Sequence, residues 1–194
     1  MIPILILAAG QSSRMRGSDK LAQIVRGKPL LRHIASEAAA VAETFVALHH
    51  DADRRLALLD GLTVTPLQVP EAAEGQSGTL RGAVARLPPF DALLVVLADL
   101  PDVTGADMAA VIAARTATPD ALIWRGATPD GRPGHPILFD GTLRERFAGL
   151  TGDDGGSAIV RPLADRTVLV RFADDRARRD LDTPEDWLAW RNGR

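Results

Sequence analysis

The chain has 194 residues, with 23 lysine and arginine residues against 25 aspartate and glutamate residues, and it contains no cysteine. This length is typical of a single domain with a sizeable core, and 46% hydrophobic with 25% charged residues excludes a disordered chain, a coiled coil and a membrane protein. A formal net charge of −2 offers no basic surface for nucleic acid or membrane lipid. We therefore predict one folded domain over residues 1–194.

The absence of cysteine limits the chemistry that is open to the chain. It excludes disulfides, zinc–thiolate sites and thiol nucleophiles, so catalysis must use carboxylates, histidine, lysine, arginine, hydroxyls or a hard metal ion. The apolar N-terminus is too short to span a bilayer and lacks the basic start of a signal peptide. We therefore expect a cytoplasmic protein.

Strand and helix patterns alternate along the chain. Apolar runs predict strands over residues 2–7, 45–48, 62–69, 92–98, 121–124, 137–139 and 167–172. Helical spacing and capping residues predict helices over residues 29–42, 51–59, 79–86, 104–115, 142–149, 157–163 and 184–190. Asp51 and Thr104 are the expected caps of two of these helices.

The strand patterns indicate how the sheet is arranged. Their runs are continuous rather than alternating, which is typical of strands buried on both faces of a parallel sheet. The run over residues 92–98 is the most apolar and is predicted to be central, whereas Pro66 places the run over residues 62–69 near an edge. The predicted fold is an α/β domain with a mostly parallel central sheet.

The loop after the first predicted strand is the first candidate for a ligand site, because open α/β sheets bind ligands beyond the carboxyl ends of their strands. Small residues from Gly10 to Ser13 would let backbone amides approach an anion, and Arg14 with Lys20 would neutralise phosphate charge. The loop has neither the dinucleotide-binding nor the P-loop glycine pattern. A solvated loop without a ligand is the alternative.

Three further positions carry candidate chemistry. Asp99 ends the most apolar strand, where it either binds Mg²⁺ or caps a turn before Pro101. Asp180 and Asp182 alternate, so in an extended segment both would point the same way and one would supply a second carboxylate; the same stretch is also a good helix N-terminus. His135 either contacts substrate or lies in an ordinary turn.

Five ordered segments together resemble a known family. They are Leu-Ala-Ala-Gly-Gln-Ser-Ser-Arg-Met at 7–15 with Lys20, Glu-Gly-Gln-Ser-Gly-Thr-Leu-Arg at 74–81, Ala-Asp-Leu-Pro at 98–101, Gly-His-Pro-Ile-Leu-Phe at 134–139 and Asp-Leu-Asp-Thr-Pro-Glu-Asp at 180–186. These segments resemble the nucleotidyltransferases of molybdenum-cofactor maturation, most closely the molybdenum cofactor cytidylyltransferases. The resemblance implies a single three-layer, Rossmann-like nucleotide-diphospho-sugar transferase domain. It also implies transfer of CMP from CTP to the phosphate of molybdopterin, with release of pyrophosphate.

The resemblance also implies a role for individual residues. The residues expected to contact the nucleotide through their backbone are Leu7, Ala8, Ala9 and Gly10. Those expected near its base and ribose are Gln76, Ser77 and Thr79. Those expected to act in catalysis are Arg14 and Lys20 on the triphosphate and Asp99 on Mg²⁺, with Asp182 as second metal ligand. His135 and its neighbours would face molybdopterin.

Two local features refine this expectation. Guanylyl-transferring relatives typically show Leu-Ala-Gly-Gly, so Ala9 and the Gly-His-Pro segment favour CTP over GTP. Arg16 lengthens the spacing before Lys20 by one residue and predicts a bulged loop. The alternatives are a guanylyl- or uridylyltransferase acting on molybdopterin or a sugar phosphate, and a non-catalytic chaperone of the molybdenum cofactor. A molybdoenzyme or its delivery chaperone is the protein partner that the resemblance suggests.

Overall fold

The apolar runs form the strands of a seven-stranded sheet in the computed structural model, which describes residues 1–152 and 154–193 and also contains a small ribbon that was not predicted. The predicted extent to residue 194 thus includes two positions, 153 and 194, that lie outside the described residues. The strands are β1 (Ile4–Leu7), β2 (Ile24–Val25), β3 (Lys28–Pro29), β4 (Thr44–Leu48), β5 (Thr65–Gln68), β6 (Ala92–Leu97), β7 (Ile123–Ala127), β8 (Pro133–Asp140) and β9 (Thr167–Arg171).

The sheet has the strand order β5-β4-β1-β6-β8-β7-β9. Strand β8 runs antiparallel to its neighbours β6 and β7, and every other pairing in this sheet is parallel. Strand β6 is central and β5, which contains Pro66, is an edge strand, so both positions are confirmed. Strands β2 and β3 pair separately as a short antiparallel ribbon.

Helices cover both faces of the sheet. They are α1 (Leu30–Ala39), α2 (Asp53–Ala57), α3 (Gln76–Arg86), α4 (Gly105–Ala117), α5 (Arg144–Ala148), α6 (Ser157–Val160) and α7 (Pro184–Asn192). Alternate side chains of β1 enter opposite cores, since Ile4 and Ile6 pack with α1, α4 and α7 whereas Leu5 packs with α3, α5 and α6. The three-layer α/β architecture is confirmed. None of the helices within residues 1–152 and 154–193 is both long and apolar enough to cross a bilayer.

Several predicted boundaries are wrong for local reasons. Helix α3 begins at Gln76 rather than residue 79, because Gly75 adopts a φ of 94° and turns the chain directly from a short 3-10 helix into α3. Strand β8 begins at Pro133, since its pairing with β7 continues past an irregularity between Arg125 and Ala127. Asp51 does not cap α2, whose N-cap is Ala52.

The cap predicted at Thr104 is confirmed and is part of a capping box, and Thr183 forms a second capping box at the start of α7. Each threonine accepts a hydrogen bond from the backbone of an aspartate three residues later. The box at Thr183 fixes where α7 begins, and so it also fixes the extended stretch that carries Asp182.

Candidate active site

The candidate site lies at the carboxyl ends of the adjacent parallel strands β1 and β6, in the middle of the sheet. We call this end of the strands the site edge. Because β8 is antiparallel to β6, its first residues, rather than its last, reach the same edge. The topology therefore brings together the loop after Leu7, Asp99 and His135, which are far apart along the chain.

A cavity of about 430 Å³ opens at this edge. Its volume is within the range of small-molecule sites in proteins. Its lining includes most of the residues expected to contact the nucleotide, together with two of the expected catalytic residues: Leu7, Ala8, Ala9, Gly10, Gln76, Thr79, Lys20 and Asp99.

The ammonium group of Lys20 lies at the centre of a charged cluster beside this cavity. Its Nζ is 2.5 Å from Oδ2 of Asp99 and 2.8 Å from Oδ1 of Asp182, although these residues are 79 and 162 positions away in sequence. The other carboxylate oxygen of Asp182 lies 2.7 Å from Nη2 of Arg14. The structure thus joins the four residues expected to hold phosphates and metal, and it places Asp182, not Asp180, against Lys20.

The charges of the cluster shift the pKa of Lys20 and of the nearby Asp180. Burial opposes ionisation of Lys20, but the neighbouring charges and hydrogen bonds of Asp99 and Asp182 outweigh it and raise the pKa of this lysine. Burial, together with the charges of Asp182 and Asp99, raises the pKa of Asp180. Lys20 therefore remains a cation throughout the neutral range.

The loop between β1 and Lys20 has unpaired hydrogen-bond donors. The amides of Gly10, Gln11 and Ser12 have no hydrogen-bond partner in the part of the chain that the structure describes. Ser12 and Arg16 adopt left-handed conformations, with φ of 53° and 51°, so the extra residue forms a tight local turn. Successive free amides of this kind form an anion-binding concavity.

The carboxylates fit a hard divalent metal ion. Asp99 Oδ1 is buried and has no hydrogen-bond partner among the described residues, while Oδ2 contacts Lys20. Asp182 adds a second carboxylate beside it. Carboxylate oxygens are the ligands that Mg²⁺ prefers, and this ion usually also binds substrate phosphates.

Two residues expected at the site are placed differently. Ser77 does not line the cavity, because its buried Oγ donates to the Thr151 carbonyl at 3.1 Å and accepts from the Gly155 amide at 3.0 Å. His135 lines a smaller neighbouring cavity of about 70 Å³. Burial, with a contribution from the charge of Arg125, lowers the pKa of His135 to about 4.

Arg55, on α2, is a residue of the site that sequence reasoning missed. Its buried guanidinium contacts both carboxylate oxygens of Asp19, at 2.7 and 2.8 Å, and donates to the carbonyl of Ala8 at 2.6 Å. It also donates to Ser12 Oγ at 3.2 Å. One side chain thereby ties the beginning, middle and end of the loop that precedes Lys20. A single arginine on a short helix has no sequence pattern that would have revealed this.

Comparison with known proteins identifies the family and the fold of the chain. Residues 4–168 match the family model described as MobA-like NTP transferase domain. The chain belongs to this family. A crystal structure of the Rv0371c homolog from Mycobacterium sp. strain JC1 superposes with a TM-score of 0.82 at 25% identity, covering 99% of this chain and 96% of that one. The Rossmann-like nucleotide-diphospho-sugar transferase fold is confirmed.

Several curated relatives of the chain are named for molybdenum cofactor chemistry. The chain is 31% identical over 184 residues to a molybdenum cofactor guanylyltransferase of Burkholderia vietnamiensis, covering 89% of this chain and 87% of the relative. It is 34% identical over 103 residues to one from Bradyrhizobium sp. (strain ORS 278), covering 52% of this chain and about half (48%) of that protein. The family resemblance is confirmed, but both names specify guanylyl rather than cytidylyl transfer.

Proposed function

We propose that this protein is a nucleotidyltransferase that moves GMP from GTP to the phosphate of a molybdopterin-type acceptor and releases pyrophosphate. The observation that carries the proposal is the cluster of Lys20, Arg14, Asp99 and Asp182 beside a cavity bordered by free loop amides. Family membership and the names of the two relatives support it.

CTP is the second candidate for the nucleotide, and Ala9 is the observation that favours it. Ala9 lines the cavity, and the family resemblance associates glycine at this position with guanylyl transfer. A methyl group there reduces the space for a purine and would favour the smaller cytosine ring. The relatives' names favour GTP, so we place GTP first and let the experiment below decide.

The main obstacle to this reaction is electrostatic, since an anionic acceptor approaches an anionic α-phosphate. The acceptor phosphate is largely ionised near neutral pH and needs no general base. One of its oxygens forms a bond to the α-phosphorus, and the bond from that phosphorus to the bridging oxygen breaks. The electron pair of the broken bond leaves with pyrophosphate.

The residues of this chain would contribute position and charge. The amides of Gly10, Gln11 and Ser12 would bind phosphate oxygens, while Lys20 and Arg14 would stabilise the departing pyrophosphate. Asp99 and Asp182 would hold Mg²⁺, which when bound neutralises phosphate charge. A cytoplasmic location and delivery of the product to a molybdoenzyme or its chaperone complete the proposal.

The test is pyrophosphate release by the purified protein with Mg²⁺, molybdenum-molybdopterin and, separately, GTP, CTP, UTP and ATP. Selective release from GTP supports the proposal, whereas release from CTP alone supports the second candidate. Asp99→Asn should lower turnover by at least about a hundredfold, whereas Asp120→Asn, at an exposed position, should not. Molybdopterin binding without pyrophosphate release from any nucleotide would indicate a chaperone and contradict the proposal.

A further inference from the structure

Half of the described arginines pair with a carboxylate, and Arg125 is among those that do not. Arg14, Arg55 and Arg176, for example, each form an ion pair. Arg125 is partly buried on β7, and its Nε and Nη2 donate to the carbonyl of Gly134 at 3.0 and 2.9 Å. No carboxylate within residues 1–152 and 154–193 pairs with it.

A second arginine, Arg178, lies close to it but is exposed. Nη1 of Arg178 donates to the Pro133 carbonyl at 2.6 Å, and no described carboxylate pairs with this arginine either. Burial of Arg125, and then repulsion from Arg178, lower the pKa of Arg125. Withdrawing a cation from water without a counter-charge is unfavourable, and a like charge nearby makes it more so. An anion bound here would relieve both effects.

Arg125 also lines the small cavity that contains His135, and this cavity limits the size of an anion that could bind there. Its volume of about 70 Å³ is much smaller than the 430 Å³ of the cavity beside Lys20, so of the two cavities it suits the smaller group. His135 lines the same cavity, and its Nδ1 is buried without a hydrogen-bond partner among the described residues. With a pKa of about 4, His135 is uncharged near neutral pH, so Arg125 is the group in this cavity that attracts an anion.

The position of this cavity connects it to the candidate active site. Leu7 and Gln76 line both cavities, so a ligand in one is a direct neighbour of a ligand in the other. We propose that Arg125, supported by Arg178, binds a phosphate-sized anionic group of the second substrate, beside the nucleotide. This assignment of the anion to the acceptor rests on the proposed function.

The first test separates the two substrates. In Arg125→Gln the KM for the molybdopterin acceptor should rise at least about tenfold, while the Kd for the nucleotide with Mg²⁺ should stay unchanged. Arg125→Lys, which keeps the charge but loses the planar fork, should give an intermediate KM. Arg146→Gln is the matched control, because Arg146 is exposed on α5. An unchanged acceptor KM in Arg125→Gln would overturn the assignment.

Thermal unfolding distinguishes ligand binding from a structural role for Arg125. If the side chain serves only to hold the Gly134 carbonyl, Arg125→Gln should lower Tm. If it awaits an anion, the variant should lose no stability in anion-free buffer, because it removes an uncompensated charge. A lower Tm together with an unchanged acceptor KM would establish the structural role and refute the proposal.

Inorganic phosphate is the probe for the source of the anion. Stabilisation of the wild type by phosphate, lost in Arg125→Gln, together with a raised acceptor KM supports the full proposal. The same stabilisation with an unchanged acceptor KM indicates a site for free phosphate and overturns the assignment to the acceptor. If no nucleotide supports pyrophosphate release by the wild type, the proposed function fails on its own. The phosphate titration then still decides whether Arg125 binds an anion.

Discussion

Two groups of cations lie at the same end of the sheet, and carboxylates neutralise only one of them. Lys20 and Arg14 are held by the carboxylates of Asp99 and Asp182, whereas Arg125 and Arg178 contact only backbone carbonyls. The first group is held in place before any ligand arrives, and its bonds must be exchanged when phosphates bind. Arg125 in the second group is partly buried without a counter-charge, which an anion would supply under our proposal. We call the first group matched, because carboxylates hold its cations in position before a ligand binds. We call the second group unmatched, because our proposal leaves its counter-charge to a bound anion.

Of the substitutions that test this comparison, removal of Lys20 should have the largest effect on turnover. Lys20→Met leaves Asp99 and Asp182 facing each other and takes away a cation at the leaving group, so we expect turnover to fall about 10³-fold. Lys28 is the other lysine of the chain and is exposed, which makes Lys28→Met the matched control. Steady-state pyrophosphate release measures both variants. Equal activity in the two would show that the paired group has no part in catalysis.

Breaking the Arg55–Asp19 pair tests whether matched charges hold the loop. Arg55→Met leaves Asp19 without its partner and the Ala8 carbonyl without a donor, so we expect a loss of about 3 to 4 kcal/mol in the free energy of unfolding. The nucleotide KM should also rise, because Lys20 follows Asp19 directly. Urea unfolding and nucleotide titration give the two numbers.

The control for this prediction is Arg115→Met, which breaks the pair with Asp140 away from the site. It should reduce stability without changing the nucleotide KM. A normal nucleotide KM in Arg55→Met would mean that the loop does not depend on this arginine.

The unmatched region should be sensitive to acid through His135. Burial and the charge of Arg125 lower the pKa of His135 from 6.5 to about 4, so the unfolded chain binds a proton at a higher pH than the folded one. Its contribution to stability is complete above pH 6.5 and is lost as pH falls from 6.5 to about 4. The loss amounts to about 3 kcal/mol.

Urea unfolding across that pH range, compared between wild type and His135→Asn, isolates this contribution. His50→Asn is the matched control, since the side chain of His50 is about half exposed (49%). The pH dependence should flatten in His135→Asn and persist in His50→Asn. Parallel profiles for all three proteins would contradict the depressed pKa.

The smallest expected effect concerns the choice of nucleotide. Ala9→Gly removes the one methyl group that this residue places in the cavity wall, so the ratio of Kd values for CTP and GTP should shift toward GTP by about tenfold. Isothermal titration with each nucleotide and Mg²⁺ measures the ratio. A ratio that does not move would remove the argument for CTP that rests on Ala9.

Much of the fold was predictable because continuous apolar runs mark buried strands. The central position of β6 and the edge position of β5 follow from the most apolar run and from Pro66. The start of α3 was not predictable, because the special conformation of Gly75, rather than a conventional capping residue, determines where the helix begins.

The site was predictable only in part. Small residues, Lys20 and Asp99 follow strands and therefore carry a local signal, while Asp182 was chosen over Asp180 only through the family resemblance. Arg55 and Arg125 carry no local signal, because their roles depend on contacts with loops distant in sequence. Ser77 is the opposite case. Its motif predicts a contact with the nucleotide, but its hydroxyl donates to the carbonyl of Thr151 in a different loop.

The long separation between Lys20 and Asp182 has a consequence for the order in which the site is completed. A ribosome synthesises the chain from the N-terminus. The residues that line the larger cavity all lie between Leu7 and Asp99, so they are synthesised well before Asp182. Asp182 also lies beyond residue 168, where the family match ends. The nascent protein thus acquires the residues that line the cavity before it acquires the last carboxylate of the charged cluster beside it.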